Sequence, residues 1–584
     1  MMVNGTEDVT LVWDAINWRL HEENVRRLRR RIFTAAKEGD LAKVRSLQKM
    51  MLRSWSNTLL SVRQVTQRNT GRRTAGIDGE VVLTSPARMA MAVRVHCSIR
   101  SWQPVPVKRV YVAKAQGGKL RPLGIPVIMD RCHQARVRTA LEPEWEARFE
   151  PRSYGFRPGR SCQDAIEAIY DTCKGRGAAR VWVLDADLAA AFDKLDHQHL
   201  MSAIGLFPGR GMIRSWLTAG VFEPGRGFAP TEAGTPQGGV ISPLLLNVAL
   251  HGLEQAAGVH YDTGARAGSV KRTSPALIRY ADDFVACCHT RQQAEQVKAR
   301  LAQWLAPRGL AFNDEKTRIV SLQAGYDFLG FNVRQYRNGK LLIKPSKAAV
   351  RRVKRTLATQ MRRLRGQNVS AVLAAICPIT RGWASFYRSV VSKKTFNTVD
   401  DYLWRLTYKW ARRSHPGKPT YWITRRYFGQ FNKSRNHHWV FGDAASGAYL
   451  PRMVWTPIVR HRKVIAGASP DDPALTDYWN QRRRRNRPPL DRSTLRLLKA
   501  QHGRCAICAD LLLHADREPH TPEEWQQWHR TTRKAITRQL IIAHGQDGQP
   551  DTTRLIHTYC HRRNTSTGSR SPTSSAPKPP TGLA

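Results

Sequence analysis

The sequence has few acidic residues for its length: 45 Asp and Glu stand against 95 Lys and Arg, a net charge of +50 over 584 residues. A compact chain with that much self-repulsion needs a polyanion to neutralise it. A solvated basic surface does not account for an excess that extends along nearly the whole chain. The composition therefore predicts a nucleic-acid-binding protein, and no amphipathic, lipid-like segment favours a membrane surface instead.

Long apolar runs, a leader-like start and abundant cysteine are also missing. No run of roughly 18 uncharged apolar residues is present, so we expect no transmembrane span and no membrane partner. Residues 1–8 are polar and acidic, which we take to exclude a secretory signal. Of the ten cysteines, seven lie singly or in the adjacent pair Cys287–Cys288, as reduced thiols do. We therefore expect a cytoplasmic protein, in a bacterial-type cytosol and associated with nucleic acid.

The sequence has ample material for folded cores, because 41% of its residues are hydrophobic and 17 are Trp. Its length is too great for one core, so several structural units are expected. Short β-rich runs alternate with helical segments in the middle of the chain, which predicts an α+β fold with an antiparallel sheet. We expect six segments: a helical N-terminal extension at 1–96, an α+β region at 97–340, a basic helical region at 341–445, a basic DNA-binding linker at 446–495, a Cys/His-bearing module at 496–565 and a disordered tail at 566–584.

Two apolar strands carry acids at their ends, where an unpaired buried charge would cost several kcal/mol. An apolar stretch around Asp282 and Asp283 predicts a β-hairpin with both acids at its turn, and an apolar strand beginning at Val181 ends in Asp185 and Asp187. The acid pair alone would more often be a solvated turn. Carboxylates that converge from two strands suit two Mg²⁺ ions about 4 Å apart. The period-two alternation places Asp185 and Asp187 on one face, so geometry leaves either as the ligand.

The hairpin turn has the sequence YADD, which resembles the box of that sequence in reverse transcriptases, and residues 186–193 resemble their first catalytic block. The resemblance implies that Asp187, Asp282 and Asp283 are the catalytic residues and hold two Mg²⁺ ions. Asp185 then has a supporting role. The activity implied is that of an RNA-directed DNA polymerase.

Further motifs occur in the order that this family has. They lie at 119–126 with Asp130, Arg131 and Gln134, and then at 153–161, 234–245, 313–317 and 326–331. The resemblance implies the fingers and palm of a right-hand polymerase, followed by a helical thumb.

The same resemblance assigns the residues that bind dNTPs. Phe192 takes the position of an aromatic that lies against the sugar and excludes a 2′-hydroxyl by its shape. Arg121 offers bidentate donors to the triphosphate, with Lys114 as the second cation and Lys119 as its competitor. The predicted nucleotide-binding set is completed by Gln237, Gly238 and Lys316.

The segments before and after these motifs indicate which kind of reverse transcriptase the sequence resembles. Residues 69–79 resemble the N-terminal extension of group II intron-encoded proteins, and residues 379–388 with 404–416 resemble their maturase domain, domain X. The resemblance covers residues 60–565, nearly the whole chain. It implies a protein that binds its own intron RNA to assist splicing and copies that RNA into DNA at a target DNA site.

The basic helical region contains residues that we expect in its core and residues that we expect to contact RNA. We expect Trp383 and Phe386 to lie in the core of the region. Arginine binds phosphate and stacks on unpaired bases, as structured RNA requires. The predicted RNA-binding residues are Arg381, Arg388, Arg412 and Arg413.

A CxxC motif at Cys505 and Cys508 is followed about fifty residues later by His557 and Cys560, a spacing that suits a tetrahedral structural Zn²⁺ site. It resembles the HNH endonuclease domain that ends many proteins of this family. The adjacent histidines that serve such nucleases, one of them as general base, are missing here.

For the nuclease, the sequence offers His544 and His561 as possible catalytic residues. DNA nicking is left open, with a degenerate module that only binds target DNA as the alternative. The run from Arg482 to Arg487 fits a DNA contact, with a solvated linker as its alternative.

Three rival functions stay open from the sequence. The first is a splicing factor without polymerase activity, which the intact acids at Asp187, Asp282 and Asp283 disfavour. The second is a defence or retron-type reverse transcriptase, which domain X and the Cys/His module disfavour. The third is an endonuclease with an idle polymerase site.

Overall fold

The computed structural model describes residues 12–561 with short gaps at 99–101, 114–119, 176–178, 264–267, 486–489, 491, 509–511, 514–518, 520, 542–551 and 559. Lys114 and Lys119 of the predicted phosphate contact lie outside the described residues. The same holds for His544 and for the predicted tail at 566–584.

Nineteen α-helices lie in the part of the chain that the structure describes. They are α1 Trp18–Lys37, α2 Leu41–Arg53, α3 Trp55–Arg63, α4 Ser85–Cys97, α5 Ile128–Arg148, α6 Cys162–Cys173, α7 Ala191–Lys194, α8 His197–Ile204, α9 Arg210–Thr218, α10 Ser242–Ala249, α11 Leu253–Ala256, α12 Arg291–Leu305, α13 Lys347–Arg363, α14 Val369–Tyr387, α15 Lys393–Ser414, α16 Thr420–Tyr427, α17 Thr476–Arg485, α18 Arg492–Ala500 and α19 Pro522–Ala535.

Fifteen strands accompany these helices among the described residues. They are β1 Val107–Ala113, β2 Leu120–Ile125, β3 Trp182–Ala186, β4 Val221–Glu223, β5 Gly227–Ala229, β6 Ala276–Tyr280, β7 Asp283–Cys288, β8 Arg318–Ser321, β9 Tyr326–Phe328, β10 Phe331–Gln335, β11 Leu341–Pro345, β12 Phe428–Gly429, β13 Val440–Phe441, β14 Ile536–Ile541 and β15 Thr552–His557.

Four strands form the central sheet, in the order β6-β7-β3-β8, and every neighbouring pair is antiparallel. A second four-stranded sheet, β2-β1-β4-β5, contains one parallel pair, β1 with β4. Strands β9 to β11 form a three-stranded antiparallel sheet beside them. The chain therefore has a mixed α/β fold, as the alternation of β-rich and helical segments predicts.

The central sheet is buried on both faces because its strands are almost wholly apolar. Val183 and Val285 belong to a core that continues into α6 and the helices after β11. Leu184 and Phe284, one position along each strand, belong to a separate core with α5, α10 and α12. The strand ends are thus held rigidly from both sides, which matters for the acids that follow them.

Helices α13 to α16, here called the helical region (347–427), follow the three-stranded sheet. Side chains cap the N-termini of α13 and α14, with Ser346 accepting from the Ala349 amide and Asn368 from the Ala371 amide. Trp383 and Phe386 of α14 are buried in the core, which confirms the expectation for both.

Helix α14 is the one described helix that is long and apolar enough to cross a membrane, judged by length and composition alone. Two thirds of its apolar window, 67%, is buried inside the fold. Core helices of soluble proteins meet the same test of length and composition, so the finding is weak support for a span.

Helix α19 packs against α14 through a close backbone approach. A Cβ at Gly382 would lie 2.6 Å from the amide nitrogen of Gln526, so glycine is needed where the two helices cross. Trp525 joins the core of the helical region, and the His529 Nε2 lies 3.2 Å from the Ser385 hydroxyl. The segment between the two Cys/His pairs is thereby attached to the helical region.

Residues 459–485, here called the return segment, lead back from the helical region to α6 and α1. Asp164, buried in α6, accepts hydrogen bonds from the Val464 amide at 2.8 Å and from Arg482 at 3.2 Å, and it pairs with His461. Asp471 accepts from Arg29 of α1 at 2.6 Å. The placement of Arg482 corrects the DNA-contact interpretation at that residue, because its guanidinium neutralises a buried carboxylate inside the fold.

Candidate functional site

The three predicted catalytic acids meet at one end of the central sheet. Asp187 directly follows β3, and Asp282 and Asp283 lie at the turn between β6 and β7. Ala186 pairs with Phe284 across β3 and β7, so the residues that follow and precede this pair, Asp187 and Asp283, come side by side. The strand pairing thus produces a cluster that no local stretch of sequence contains.

Burial raises the pKa of Asp282, and the charge of Asp187 raises it further. The pKa of Asp283 lies well above its usual range because of burial, then the charge of Asp282, then that of Asp187. Lys316 opposes both shifts, and Arg121 opposes the shift at Asp282. Crowded carboxylates of this kind are destabilising alone and are relieved by a cation.

Asp187 already has a cation beside it. Its Oδ2 accepts hydrogen bonds from the Lys316 ammonium at 2.6 Å and from the Asn313 amide at 3.2 Å. The Asn313 backbone amide also donates to the Asp187 carbonyl at 2.8 Å. The ammonium stands where positive charge is required, and an oxygen-only donor set of three acids is one that Mg²⁺ prefers. The residues present therefore fit divalent metal ions.

The turn that carries Asp282 is held from behind by the 153–161 motif. Ala281 adopts a left-handed φ of 60°, and a Cβ at Gly155 would lie only 2.2 Å from the Ala281 amide nitrogen. Arg279, fully buried, donates to the Ala281 carbonyl at 3.2 Å and to Asn247 Oδ1 at 2.8 Å. Asn247 in turn donates to the Gly155 carbonyl at 2.9 Å. This closed set of contacts fixes the turn that carries Asp282, one of the predicted catalytic acids.

Arg279 and Asn247 are residues of this site whose roles the sequence did not reveal. Burial lowers the pKa of Arg279 to about 10. The available signal was an arginine within an otherwise apolar strand, which implies a buried partner. Its partners come from α10 and the turn itself, so their identity depends on the tertiary fold.

We expect Gly155→Ala to reduce polymerase activity by about 10²-fold, the usual cost of a 1 Å misplacement of catalytic groups. The added methyl group would push the Ala281 amide and with it Asp282. Primer extension at saturating template measures the effect. Gly211→Ala on α9 is the matched control, because beyond its chain neighbours and the backbone of its own helix no described heavy atom lies within 4 Å of its Cβ position. Equal activity of both variants would contradict the role of Gly155.

Phe192 lies on the short helix α7, half-buried and in edge contact with Phe156 at 6.3 Å between ring centroids. Its carbonyl accepts from the Thr235 amide at 2.6 Å. Gly234 has a φ of +85°, and a Cβ there would lie 2.6 Å from the Asp193 carbonyl oxygen. The 186–193 and 234–245 motifs are thus packed against each other.

The predicted nucleotide-binding loop also contacts β2. The Gly124 amide donates to the Gln237 carbonyl at 2.9 Å, and a Cβ at Gly238 would lie 2.7 Å from the Gly124 carbonyl oxygen. Gln134 accepts from the Val240 amide at 2.8 Å. Arg121, exposed on the same strand, lies near enough to Asp282 to lower its pKa. The structure therefore attaches Gln237 and Gly238 to the strand that carries Arg121, while Arg121 and Lys316 are the cations that act on Asp282.

Asp185 pairs with a different cation from the one that pairs with Asp187. Arg318, opposite it on β8, lies 3.5 Å from its carboxylate. Burial raises the pKa of Asp185 to about 6, against the effect of Arg318.

The predicted RNA-binding arginines divide into two pairs. Arg412 and Arg413 are exposed at the end of α15. Arg381 and Arg388, on and just after α14, are half-buried, and the Arg388 carbonyl accepts from the Val459 amide at 3.0 Å.

The four predicted zinc ligands come together. One ligand atom from each of Cys505, Cys508, His557 and Cys560 lies within 4.8 Å of the others. The Sγ atoms of Cys508 and Cys560 lie 3.4 Å and 3.9 Å from His557 Nδ1. Hydrogen bonding, first with Cys508 and then with His557, lowers the pKa of Cys505 to about 3. Three cysteine sulfurs and one imidazole nitrogen this close together suit Zn²⁺, which prefers four such ligands.

Three half-buried acids at strand ends, with a lysine beside Asp187 and a glycine-containing loop packed on the neighbouring strand β2, are the arrangement expected of a nucleic-acid polymerase of the reverse transcriptase class. Residues 112–333 match the family described as reverse transcriptase (RNA-dependent DNA polymerase). Residues 13–95 match the N-terminal domain of reverse transcriptase, and residues 350–428 match the group II intron, maturase-specific domain.

The chain is also similar in sequence to known proteins. Protein YkfC of Escherichia coli K12 is 33% identical over 348 residues, which are 54% of this chain and 88% of that protein. The group II intron-encoded protein LtrA of Lactococcus lactis is 30% identical over 297 residues, 41% of this chain and 49% of that protein, so the match spans about half of LtrA. A telomerase structure from Candida albicans overlaps 56% of this chain and 65% of that one at 14% identity, with a TM-score of 0.31 that supports no argument.

The chain belongs to the group II intron reverse transcriptase/maturase family, and it is an RNA-directed DNA polymerase. The domains imply divalent metal use, intron RNA and nucleic-acid substrates.

Proposed function

We propose that the protein is the maturase and reverse transcriptase of a mobile group II intron. It would bind its intron RNA to assist splicing and copy that RNA into DNA at a target DNA site. The observation that carries the proposal is the half-buried cluster of Asp187, Asp282 and Asp283 on a chain that also has a maturase-specific domain. In this proposal residues 97–340 are the fingers and palm of a right-hand polymerase, and 341–445 are the thumb and domain X.

Two Mg²⁺ ions, when bound, supply the charge that stabilises the attacking 3′-oxygen and the leaving pyrophosphate. Asp187, Asp282 and Asp283 would hold them. Without the metal ions, Lys316 neutralises Asp187. Once the ions are bound, Lys316 would be free to contact the triphosphate, beside Arg121. Gln237 and Gly238, fixed to β2 through Gly124, would lie along the nascent base pair.

We expect Phe192→Val to admit ribonucleotides. Phe192 would lie against the sugar of the incoming dNTP, and a smaller side chain leaves room for a 2′-hydroxyl. Discrimination by shape of one small group is worth roughly 10–200-fold, so the ratio of dNTP to rNTP incorporation should fall by a factor in this range. Single-nucleotide incorporation with each substrate measures it. Phe222→Val, at an exposed ring on β4, is the control; an unchanged ratio in Phe192→Val would contradict the assignment.

Exposed Arg412 and Arg413 would contact intron RNA, and the Cys/His module would bind target DNA. Cys505, Cys508, His557 and Cys560 would hold a structural Zn²⁺. His561 directly follows Cys560 of this cluster in the sequence, whereas His529 lies on α19 against Ser385. His561 would serve an HNH-type nuclease, as would His544, which lies outside the described residues; a module that binds DNA without nicking is the second candidate. We place the protein in the cytosol as a nucleoprotein.

One experiment separates the two jobs. The transcript that flanks the protein's own gene is incubated with wild type or with the Asp282→Ala/Asp283→Ala variant. We expect both proteins to accelerate splicing, and only wild type to extend a DNA primer on the RNA template with dNTPs and Mg²⁺. Splicing unaffected by either protein would remove the maturase assignment. Extension retained by the variant would remove the metal-ligand assignment.

A further inference from the structure

A cavity of about 210 Å³ opens beside α15, away from the carboxylate cluster. Trp404 and Trp439 form one side of it, and Asp401, His437 and Arg452 form another. Pockets for drug-sized ligands usually measure about 300–1,000 Å³. The cavity therefore suits a smaller group, such as a single heterocyclic ring system.

The aromatic side of the cavity is exposed to solvent. Trp404 is 37% exposed and Trp439 is 54% exposed, and no other tryptophan in the described part of the chain is as exposed as these two. Their rings meet edge to face at 6.2 Å, and Trp404 stacks on Tyr408 at 5.4 Å with an interplanar angle of 10°. Packing has thus fixed the Trp404 ring while leaving part of its surface open, which is the arrangement of a stacking platform.

The polar side chains of the cavity are also held in place, by hydrogen bonds and ion pairs. Arg452 hydrogen-bonds to His437 and donates to Asn397 Oδ1 at 2.8 Å, and its Nε lies 3.7 Å from Asp400. Asp401, with half of its side chain exposed, lies 3.5 Å from the same guanidinium. Its outer carboxylate oxygen can accept from the N–H groups on a base edge.

Charge decides which part of a nucleotide enters the cavity. Asp400 and Asp401 in its wall repel phosphate. Exposed cations lie instead on the elements that line the cavity, on α15 and on the loop between β12 and β13: Lys394, Arg405, Lys409, Lys433 and Arg435. A strand of RNA would hold its phosphates on these cations and turn a base inward.

We infer that this cavity binds an unpaired nucleobase of the bound RNA, stacked on Trp404 and Trp439. The inference rests on the proposed intron-RNA binding and names a site for it. Binding in the cavity requires a base with one face free for stacking. It should depend little on the RNA sequence, because every base has such a face.

The test compares two short single-stranded oligomers of equal length and charge, oligo(A) and an abasic chain, binding to the full-length protein. The polymerase site is first saturated with a template–primer duplex. We expect wild type to prefer oligo(A) by roughly 5- to 150-fold, the range that one stacked base contributes. The Trp404→Ala/Trp439→Ala variant should lose this preference, and it should bind the abasic chain as wild type does, with the same salt dependence.

Two further variants keep the test decisive. Trp404→Phe/Trp439→Phe should retain most of the preference, because the rings remain. Tyr421→Ala removes an aromatic that is 73% exposed but outside the cavity, and it should change nothing. A preference for oligo(A) that survives in the double alanine variant would overturn the inference, and so would an equal loss in Tyr421→Ala. Wild type that binds neither oligomer would overturn the inference together with RNA binding by this region, while primer extension on the duplex would stay intact.

Discussion

Asp283→Asn should abolish primer extension, by about 10³-fold or more, and should at the same time make the metal-free protein more stable. The loss follows because a carboxylate ligand of catalytic metal ions is worth several kcal/mol in the transition state. The gain follows because Asp283 lies half-buried beside Asp282 and Asp187, and its removal from solvent and then the charges of these two neighbours raise its pKa. An amide of the same shape removes that repulsion, with an expected gain of about 1 kcal/mol, the ordinary size of a point-mutation effect.

The stability difference depends on pH with a definite sign. The pKa of Asp283 is raised in the folded state, so the folded protein binds its proton more tightly than the unfolded chain does. Folding stability is therefore fully present below the ordinary pKa of an aspartate and declines as the pH rises toward the raised folded value. The advantage of Asp283→Asn over wild type should increase across that interval and vanish at lower pH.

Thermal unfolding in EDTA, measured over a pH series, checks this prediction, with primer extension in Mg²⁺ as the second measurement. Asp327→Asn is the matched control, because Asp327 is an exposed acid on the neighbouring three-stranded sheet. It should leave both activity and the pH dependence unchanged. A loss of stability in Asp283→Asn would show that the carboxylate is held by contacts other than those of a repelling cluster.

Local patterns in the sequence were sufficient for the catalytic strands. Apolar runs predicted β6 and β7 around the acid pair, and the structure has them at Ala276–Tyr280 and Asp283–Cys288. The strand predicted from Val181 to Leu184 begins and ends one or two residues later, at Trp182–Ala186. These elements are short and almost wholly apolar, so their signal needs no tertiary context. The helical region was equally accessible, since its buried positions repeat with helical spacing.

Contacts between distant segments were not accessible in the same way. Asp164 and His461 are 297 residues apart, and nothing near either residue indicates that they pair. An arginine-rich run looks the same in sequence whether it binds DNA or, as Arg482 does, neutralises a buried acid. The site shows the same limit: the motif acids were identifiable, but Gly155, Arg279 and Asn247 acquire their role only through the packing of α10 and the turn.

The Cys/His module is the element whose stability should depend most on a bound metal. Among the described residues of the module, the core contains four buried aliphatic side chains beside two of the cysteines: Leu498, Leu512, Leu555 and Ile556. So small a core does not usually support a fold alone. Structural zinc contributes about 10–16 kcal/mol of apparent binding free energy in zinc-finger peptides at pH 7, which is folding free energy where the ligands come together only on folding.

Cys508→Ser should therefore remove bound zinc and unfold the module, while the catalytic cluster, which belongs to other cores, keeps its activity. Metal analysis, limited proteolysis and primer extension measure the three consequences. Helix α19 allows a more specific prediction for the proteolysis, because Trp525 packs in the core of the helical region and not in that of the module. Cleavage should fall on either side of 522–535 and spare the helix itself.

Cys97→Ser, at an exposed cysteine outside the cluster, is the control and should retain zinc and protease resistance. Full resistance of zinc-free Cys508→Ser would show that docking through α19 is enough to hold the module, and the metal would then be dispensable for folding. Cleavage within 522–535 would show the reverse dependence, in which zinc maintains the contact of α19 with α14. Because Gly382 brings the two helices to within a backbone contact, that second outcome would also predict a weaker hold on RNA by the helical region once zinc is removed.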